Sequence, residues 1–205
     1  MFRNELGMEC LFEPMLEIPT IMDDLSSSHT YFGLGILTNL PIIGHRADWY
    51  DGDKRTVPAF SRDPITGSII TNKLLLSAEI SYNGVAYTFA NTHFTWSNDG
   101  AVTDRQRESL KKLLEILNTL PEFVLAGDFN APRGREIFTA IAEKYRDNIP
   151  LNYLTSIDKN LHRAGDLGLM VDGLFSTPEY EITDVKLSDG VSDHMAVTAL
   201  IAKKV

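Results

Sequence analysis

Two short polar clusters, Gly127-Asp128-Phe129-Asn130 and Ser192-Asp193-His194, carry the groups best suited to chemistry. They combine carboxylates, an amide and an imidazole, which suits hydrolysis of a phosphate ester assisted by a hard cation. Such a reaction needs a cation to neutralise phosphoryl charge and a water activated for in-line attack. It also needs donors on the non-bridging oxygens and something to stabilise the leaving oxygen. Asp128 can accept the proton of the attacking water. Asn130 can donate its amide N–H to the phosphate or to that water. Asp193 offers the oxygen ligands that Mg²⁺ prefers, with Mn²⁺ as the alternative ion. His194 can donate to a phosphoryl oxygen once a carboxylate keeps its other nitrogen protonated, and Asp172 in Val171-Asp172-Gly173 is the natural partner. His93, in Asn91-Thr92-His93-Phe94, adds a further donor or acid. Each piece alone is common, because Asp and Asn cap backbone groups in turns. The force comes from all four lying at strand ends in one chain.

The elements that must position these groups follow from hydrophobic pattern. Glu122 to Ala126 reads as a buried strand ending at Gly127, and Met195 to Ala202 as a strand after the second cluster. Lys73 to Tyr82 and Val85 to Thr92 read as a hairpin joined by Asn83-Gly84, the favoured two-residue turn. Tyr31 to Thr38, Leu169 to Ser176 and Glu181 to Leu187 read as further strands. Thr103 with Gln106 makes a capping box, Leu110, Leu113, Leu114 and Leu117 line one helical face, and Pro121 stops that helix. Gly134 to Tyr145 reads as a second helix, with Ile137, Phe138, Ile141 and Tyr145 as its apolar stripe. Residues 1–30 lack a clear period and read as irregular, and 41–71 reads as one long polar connection. Antiparallel hairpins with interspersed helices make an α+β protein.

Bulk properties narrow the class. A chain of 205 residues with 43% hydrophobic content fits a single domain, 1–205, with a sizeable core. No apolar stretch is long enough to span a bilayer. The acidic N-terminus is no secretory signal, and the lone Cys10 fits a reducing, cytoplasmic compartment. A monomer is expected. The net charge of −9 disfavours tight non-specific binding to nucleic acid, which usually needs a basic face. The densest basic run, Arg105-Gln106-Arg107 with Lys111-Lys112, reads as a solvated helix face.

The ordered set Asn-Thr-His, Gly-Asp-Phe-Asn, Val-Asp-Gly-Leu-Phe and Ser-Asp-His resembles the endonuclease/exonuclease/phosphatase superfamily, from about Gly33 to Ile201. That superfamily includes deoxyribonuclease I, apurinic endonucleases, sphingomyelinases and inositol polyphosphate phosphatases. The stretch Gly33 to Ile42 is similar to the family's strand leading into a Pro turn. The resemblance implies a four-layer α/β sandwich, with two packed, mostly antiparallel sheets flanked by helices and the motifs meeting at one end. It implies that Asp128 orients the water, Asn130 contacts the phosphate and Asp193 is a metal ligand. It further implies His194 on the scissile phosphate, Asp172 orienting that His, and His93 as the second active-site histidine.

The family normally opens with a strand carrying an Asn and a strand ending in Gln-Glu, whose Glu is the principal metal ligand. Neither pattern is visible here, so the chain reads as lacking those first two strands. Glu9 and Glu13 read as structural or solvated, not as substitutes. On that basis the chain as written is expected to bind Mg²⁺ poorly and to be nearly inactive. Three functions stay open. The first is a Mg²⁺-dependent phosphodiesterase or phosphatase acting on a small or lipid-like ester, which the acidic balance favours. The second is a nuclease on DNA or RNA, and the third a catalytically impaired fragment or binding domain. Trp49, Tyr50 and Trp96 are candidates for stacking on substrate, with rim packing slightly favoured.

Overall fold

The Asn83-Gly84 turn behaves as its sequence predicts. Both residues take positive φ, 50° and 79°, as a two-residue hairpin of that type requires. The computed structural model describes residues 5–18, 30–65 and 67–204. The turn joins β4 (Lys73–Tyr82) to β5 (Val85–His93), paired antiparallel from Tyr82↔Val85 to Leu75↔Thr92. Around this hairpin grows a six-stranded sheet. It adds β3 (Ile42–Asp51), β6 (Val124–Asp128), β7 (Arg146–Asp147) and β8 (Asp172–Ser176), in the order β3-β4-β5-β6-β8-β7. β6 runs parallel to β5, and every other neighbouring pair is antiparallel.

Helix α1 (Asp104–Leu117) supplies the crossover between β5 and β6. Thr103 accepts from the Gln106 backbone N–H, and the Gln106 side chain accepts from the Thr103 N–H, completing the expected capping box. Helix α2 (Glu136–Ala142) is shorter than the sequence pattern predicts. Gly134 at φ 84° lies in the turn before it, and Lys144 and Tyr145 close a last turn on the Ile141 carbonyl. Both helices cover one face of the sheet. There Leu113, Leu117, Ile137, Phe138 and Ile141 pack on Leu75, Ala90, Leu125 and Phe175.

Two hairpins cover the opposite face. One is β1 (Glu9–Ile18) with β2 (Thr30–Thr38), whose Met15 and Leu34 meet Leu74 and Leu76. The other is β9 (Tyr180–Ser188) with β10 (Ala196–Lys203), whose Tyr180 and Ile182 pack on Val124 and Leu174. The result is an α+β sandwich. Among the described residues the two hairpins share no strand pairing, and Ala126, on an interior strand, is exposed.

Two expectations are corrected here. Glu9–Ile18 is a strand where irregular chain is expected, because Pro14 interrupts the alternation. The pairing shifts register between Pro14 and Leu16, a place where a strand tolerates proline. Ile42–Asp51 is likewise a strand, inside the stretch expected to be a polar connection. It is an edge strand with polar residues along its exposed side, and its apolar content, Trp49 and Tyr50, is split between two core clusters.

Candidate active site

Strand register alone brings three of the candidate residues into a row. His93 ends β5, Asp128 ends β6 and Asp172 begins β8. Because β6 is parallel to β5 and antiparallel to β8, these three ends share one rim. The pairs His93↔Asp128 and Asp128↔Asp172 are direct cross-strand partners. One residue back, Gly127 pairs with Gly173. A Cβ at Gly127 would sit 2.0 Å from the Thr92 carbonyl oxygen, and one at Gly173 would meet the rings of Phe175 and Phe129 at 2.5 and 2.8 Å. Glycine at these two positions lets the strands close up beneath the site.

The turn after β6 is pinned from three sides. The fully buried Phe129 plugs into the helix-side core, with Phe138 and Phe175 edge-on to its ring. Asp128 Oδ1 accepts the Asn130 backbone N–H at 2.7 Å, which supports Asn130 at φ 49°. The Asn130 side chain donates to the Phe94 carbonyl at 3.0 Å, leaving its second N–H and its oxygen for other partners.

The distant His194 reaches this rim through a loop braced by Ser156 and Asp158. The Ser156 hydroxyl accepts the backbone N–H of Val171 and of Asp172, each at 3.1 Å, while its carbonyl accepts from Met195 at 2.8 Å. The Asp158 carboxylate accepts from Asn160, Leu161 and Gly190, and its backbone N–H donates to the Asp193 carbonyl. With the loop held, His194 Nδ1 lies 2.7 Å from Asp172 Oδ2. Ligand atoms of Asp128, Asp172 and His194 all fall within 4.8 Å of one another. His93 Nε2 stands 3.4 Å from Asp128 Oδ2.

Electrostatics gives the groups different protonation states. Two carboxylates directly opposite each other repel. Burial, and then the charge of Asp172, push Asp128 up to about 6, against the pull of His194, the Asn130 N–H and Lys73. The hydrogen bond to Asp172 raises His194 to about 9, so its imidazole is protonated at neutral pH. Burial, helped by the charges of Lys73 and His194, drives His93 down to about 3. His93 is therefore a neutral ring, and its contact with Asp128 is no ion pair at neutral pH. At pH 7 the cluster holds a base, an acid and a neutral histidine side by side.

Asp193 sits beside this group and outside it. It is exposed, and among the described residues its carboxylate has no hydrogen-bond or ion-pair partner. Glu9 accepts from the Ile42 N–H at 3.4 Å, and neither it nor Glu13 joins the cluster. Tyr50 is a core residue, bonded to Thr92 and stacked on Phe94. Trp49 packs beside the β1–β2 hairpin, whereas Trp96 is 43% exposed and lines a cavity next to His93. Sequence reasoning missed Ser156, Asp158 and Lys73. Ser156-Ile157-Asp158 carries the Ser/Asp signature of a braced turn. Lys73, at the start of an apolar strand, carries no signal of its own.

Comparison with known proteins agrees with this fold. Residues 5–194 match the Endonuclease/Exonuclease/phosphatase family. No curated protein sequence matches the chain. Among solved structures, the chain is similar to the endonuclease/exonuclease/phosphatase from Bacteroides vulgatus, at 15% identity and TM-score 0.66, covering 98% of this chain and 79% of that one. It is similar to the human Nocturnin catalytic domain with bound sulfate, at 14% identity and TM-score 0.65, covering 98% and 74%. It is also similar to a mannosyl-6-phosphatase from Bacteroides thetaiotaomicron, at 16% identity and TM-score 0.52, covering 85% and 71%. Identities this low show a shared fold. With the family match spanning nearly the whole length, the chain belongs to the Endonuclease/Exonuclease/phosphatase family.

Proposed function

We propose that this chain hydrolyses phosphate esters by in-line attack of water. The family's members are hydrolases of such esters. The observation that carries the reading is the meeting of Asp128, Asp172 and His194 within 4.8 Å, from three separate stretches of sequence. Asp128, ionised above about 6, accepts the proton of the attacking water. His194, held protonated by Asp172, donates to a phosphoryl oxygen, and the free N–H of Asn130 donates to another. The neutral His93 adds a donor beside the Asp128 carboxylate.

The donor set fits a hard divalent cation. Two opposed carboxylates, offset by His194 and by the more distant charge of Lys73, present oxygens of the kind such ions prefer. Asp128 and Asp172 would hold Mg²⁺, with Mn²⁺ as its alternative, and the ion would neutralise charge on the phosphoryl group; Asp193, the ligand expected from the sequence, stands outside this group.

The substrate we infer is a small phosphate ester. The net charge of −9 disfavours an extended nucleic-acid track. The lone Cys10 supports a reducing, cytoplasmic setting, and we infer a monomer there. No helix among the described residues is long and apolar enough to cross a membrane.

The competing reading is a catalytically impaired domain. It is supported, among the described residues, by two hairpins that share no pairing over an exposed Ala126 and by the position of Asp193 outside the cluster. Hydrolysis of bis(4-nitrophenyl) phosphate with Mg²⁺ or Mn²⁺ separates the two. A rate that requires the cation and is lost in Asp128→Ala and His194→Ala supports the enzyme. Cation binding without turnover supports the impaired domain. Equal rates in wild type and both variants reject the site.

A further inference from the structure

Beside His93 the surface opens into a cavity of about 350 Å³, enough for a ring-sized group. Its body is apolar, with Leu16, Phe32, Phe60 and Trp96 in its walls. Its polar lining is strongly biased: Lys73, Arg62, Arg105 and Arg163 contribute, and no carboxylate does among the described residues. That bias runs against a chain whose net charge is −9.

The four cations are not equivalent. Arg105 Nε donates to Asp51 at 2.9 Å, and Arg62 donates to the Gly67 carbonyl while lying over the Phe60 ring. Both have protein partners. Arg163 is exposed and has no hydrogen-bond or ion-pair partner among the described residues. Lys73 is only 3% exposed, and it too makes no hydrogen bond or ion pair there. Burial pulls its ammonium down to about 8, while Asp128 and Asp51 attract it without touching it. The side chain lines the cavity and its nitrogen has no acceptor from the protein, so an acceptor brought by a ligand would stabilise the charge.

We propose that this cavity binds the alcohol portion of the substrate, and that this portion is a flat apolar body bearing a second anionic group gripped by Lys73. The inference rests on the hydrolase reading for the reacting phosphate and adds the class of ester: one with two anionic groups, one at the catalytic cluster and one at Lys73. The apolar walls take the body, with Trp96 along it, and Arg163 adds charge at the mouth. A cluster at the rim of three strands selects for phosphate, whereas this cavity selects among phosphates.

Binding, not turnover, is the test. Calorimetric titration of the intact chain with phenyl phosphate and with 1,4-phenylene bisphosphate, in EDTA to suppress cation-assisted turnover, gives the preference directly, and quenching of tryptophan fluorescence that is lost in Trp96→Phe locates the ring. We expect the bisphosphate to bind about tenfold more tightly or better. Lys73→Met, which keeps the stem and removes the charge, is expected to cut that preference to within about twofold while phenyl phosphate affinity holds. If that variant does not fold, Arg163→Gln decides, since an exposed side chain can be changed without loss of structure. It is expected to lower the preference about threefold. Equal affinities in the wild type would overturn the proposal, as would a preference that survives both substitutions. So would a uniform loss for both ligands in Lys73→Met, which would make Lys73 a counter-charge to Asp128 and Asp51. A preference without hydrolysis leaves the cavity assigned and sinks the hydrolase reading; hydrolysis without a preference does the reverse.

Discussion

Replacing Asp172 with Asn isolates the role of one carboxylate with little change in shape. In the wild type the hydrogen bond to Asp172 lifts His194 from 6.5 to about 9. At about 1.4 kcal/mol per unit, that span is worth roughly 3 kcal/mol of preference for the protonated ring. It is an upper value, because the His194 side chain is a quarter exposed. A raised imidazole pKa stabilises the fold fully below 6.5, and the contribution is lost as pH rises through about 9. Asp172→Asn is therefore expected to lower stability at pH 6 and to have little effect near pH 10. The loss should fall short of the upper value, because removing Asp172 also relieves the repulsion that helps lift Asp128. Two assays read the change. The imidazole resonance of His194 should titrate near 9 in wild type and toward 6.5 in the variant. The alkaline limb of kcat/KM should move down with it, while the acid limb, set by Asp128 near 6, shifts lower. A His194 that still titrates near 9 in Asp172→Asn would refute the assigned pairing.

Other perturbations probe the scaffold. Gly127→Ala forces a Cβ to within 2.0 Å of the Thr92 carbonyl oxygen, and denaturant unfolding should show a loss of roughly 3 kcal/mol or more. Wild-type stability there would contradict the close approach of β5 and β6. Ser156→Ala strips the acceptor from the N–H groups of Val171 and Asp172, a cost of about 1–3 kcal/mol, and should lower the titration midpoint of His194 by loosening its loop. Thr103→Ala removes the α1 cap and should cost about 1 kcal/mol while leaving kcat/KM unchanged, as measured by thermal unfolding alongside kinetics.

Much of this architecture was legible in local chemistry. Asn83-Gly84 announces its hairpin because only certain residues accept positive φ at both central positions. Thr103 and Gln106 announce the start of α1 because they satisfy each other's backbone donors. Two of the candidate site residues were legible for a related reason: His93 and Asp128 stand at strand ends, where a sequence switches from apolar to polar, whereas Asp172 opens β8 inside a run, Leu169 to Ser176, that reads as continuous strand. What local pattern does not encode is pairing. Nothing within ten residues of Asp128 says that Asp172 will lie directly across from it. β1 was hidden by Pro14 and β3 by a polar edge, since both depend on partners elsewhere in the chain to become strands. Lys73 escaped notice for the converse reason. A lysine ahead of an apolar run looks like a solvated strand end, and only the packing around it makes it buried.

If Asp128, Asp172 and His194 form one cation-assisted phosphate station, a crystal grown with Mn²⁺ and inorganic phosphate will show both ligands there. An anomalous peak is expected within bonding distance of the Asp128 carboxylate, with phosphate oxygens against His194 and Asn130. A peak at saturating Mn²⁺ that lies away from this rim, with phosphate bound elsewhere, would contradict that assignment.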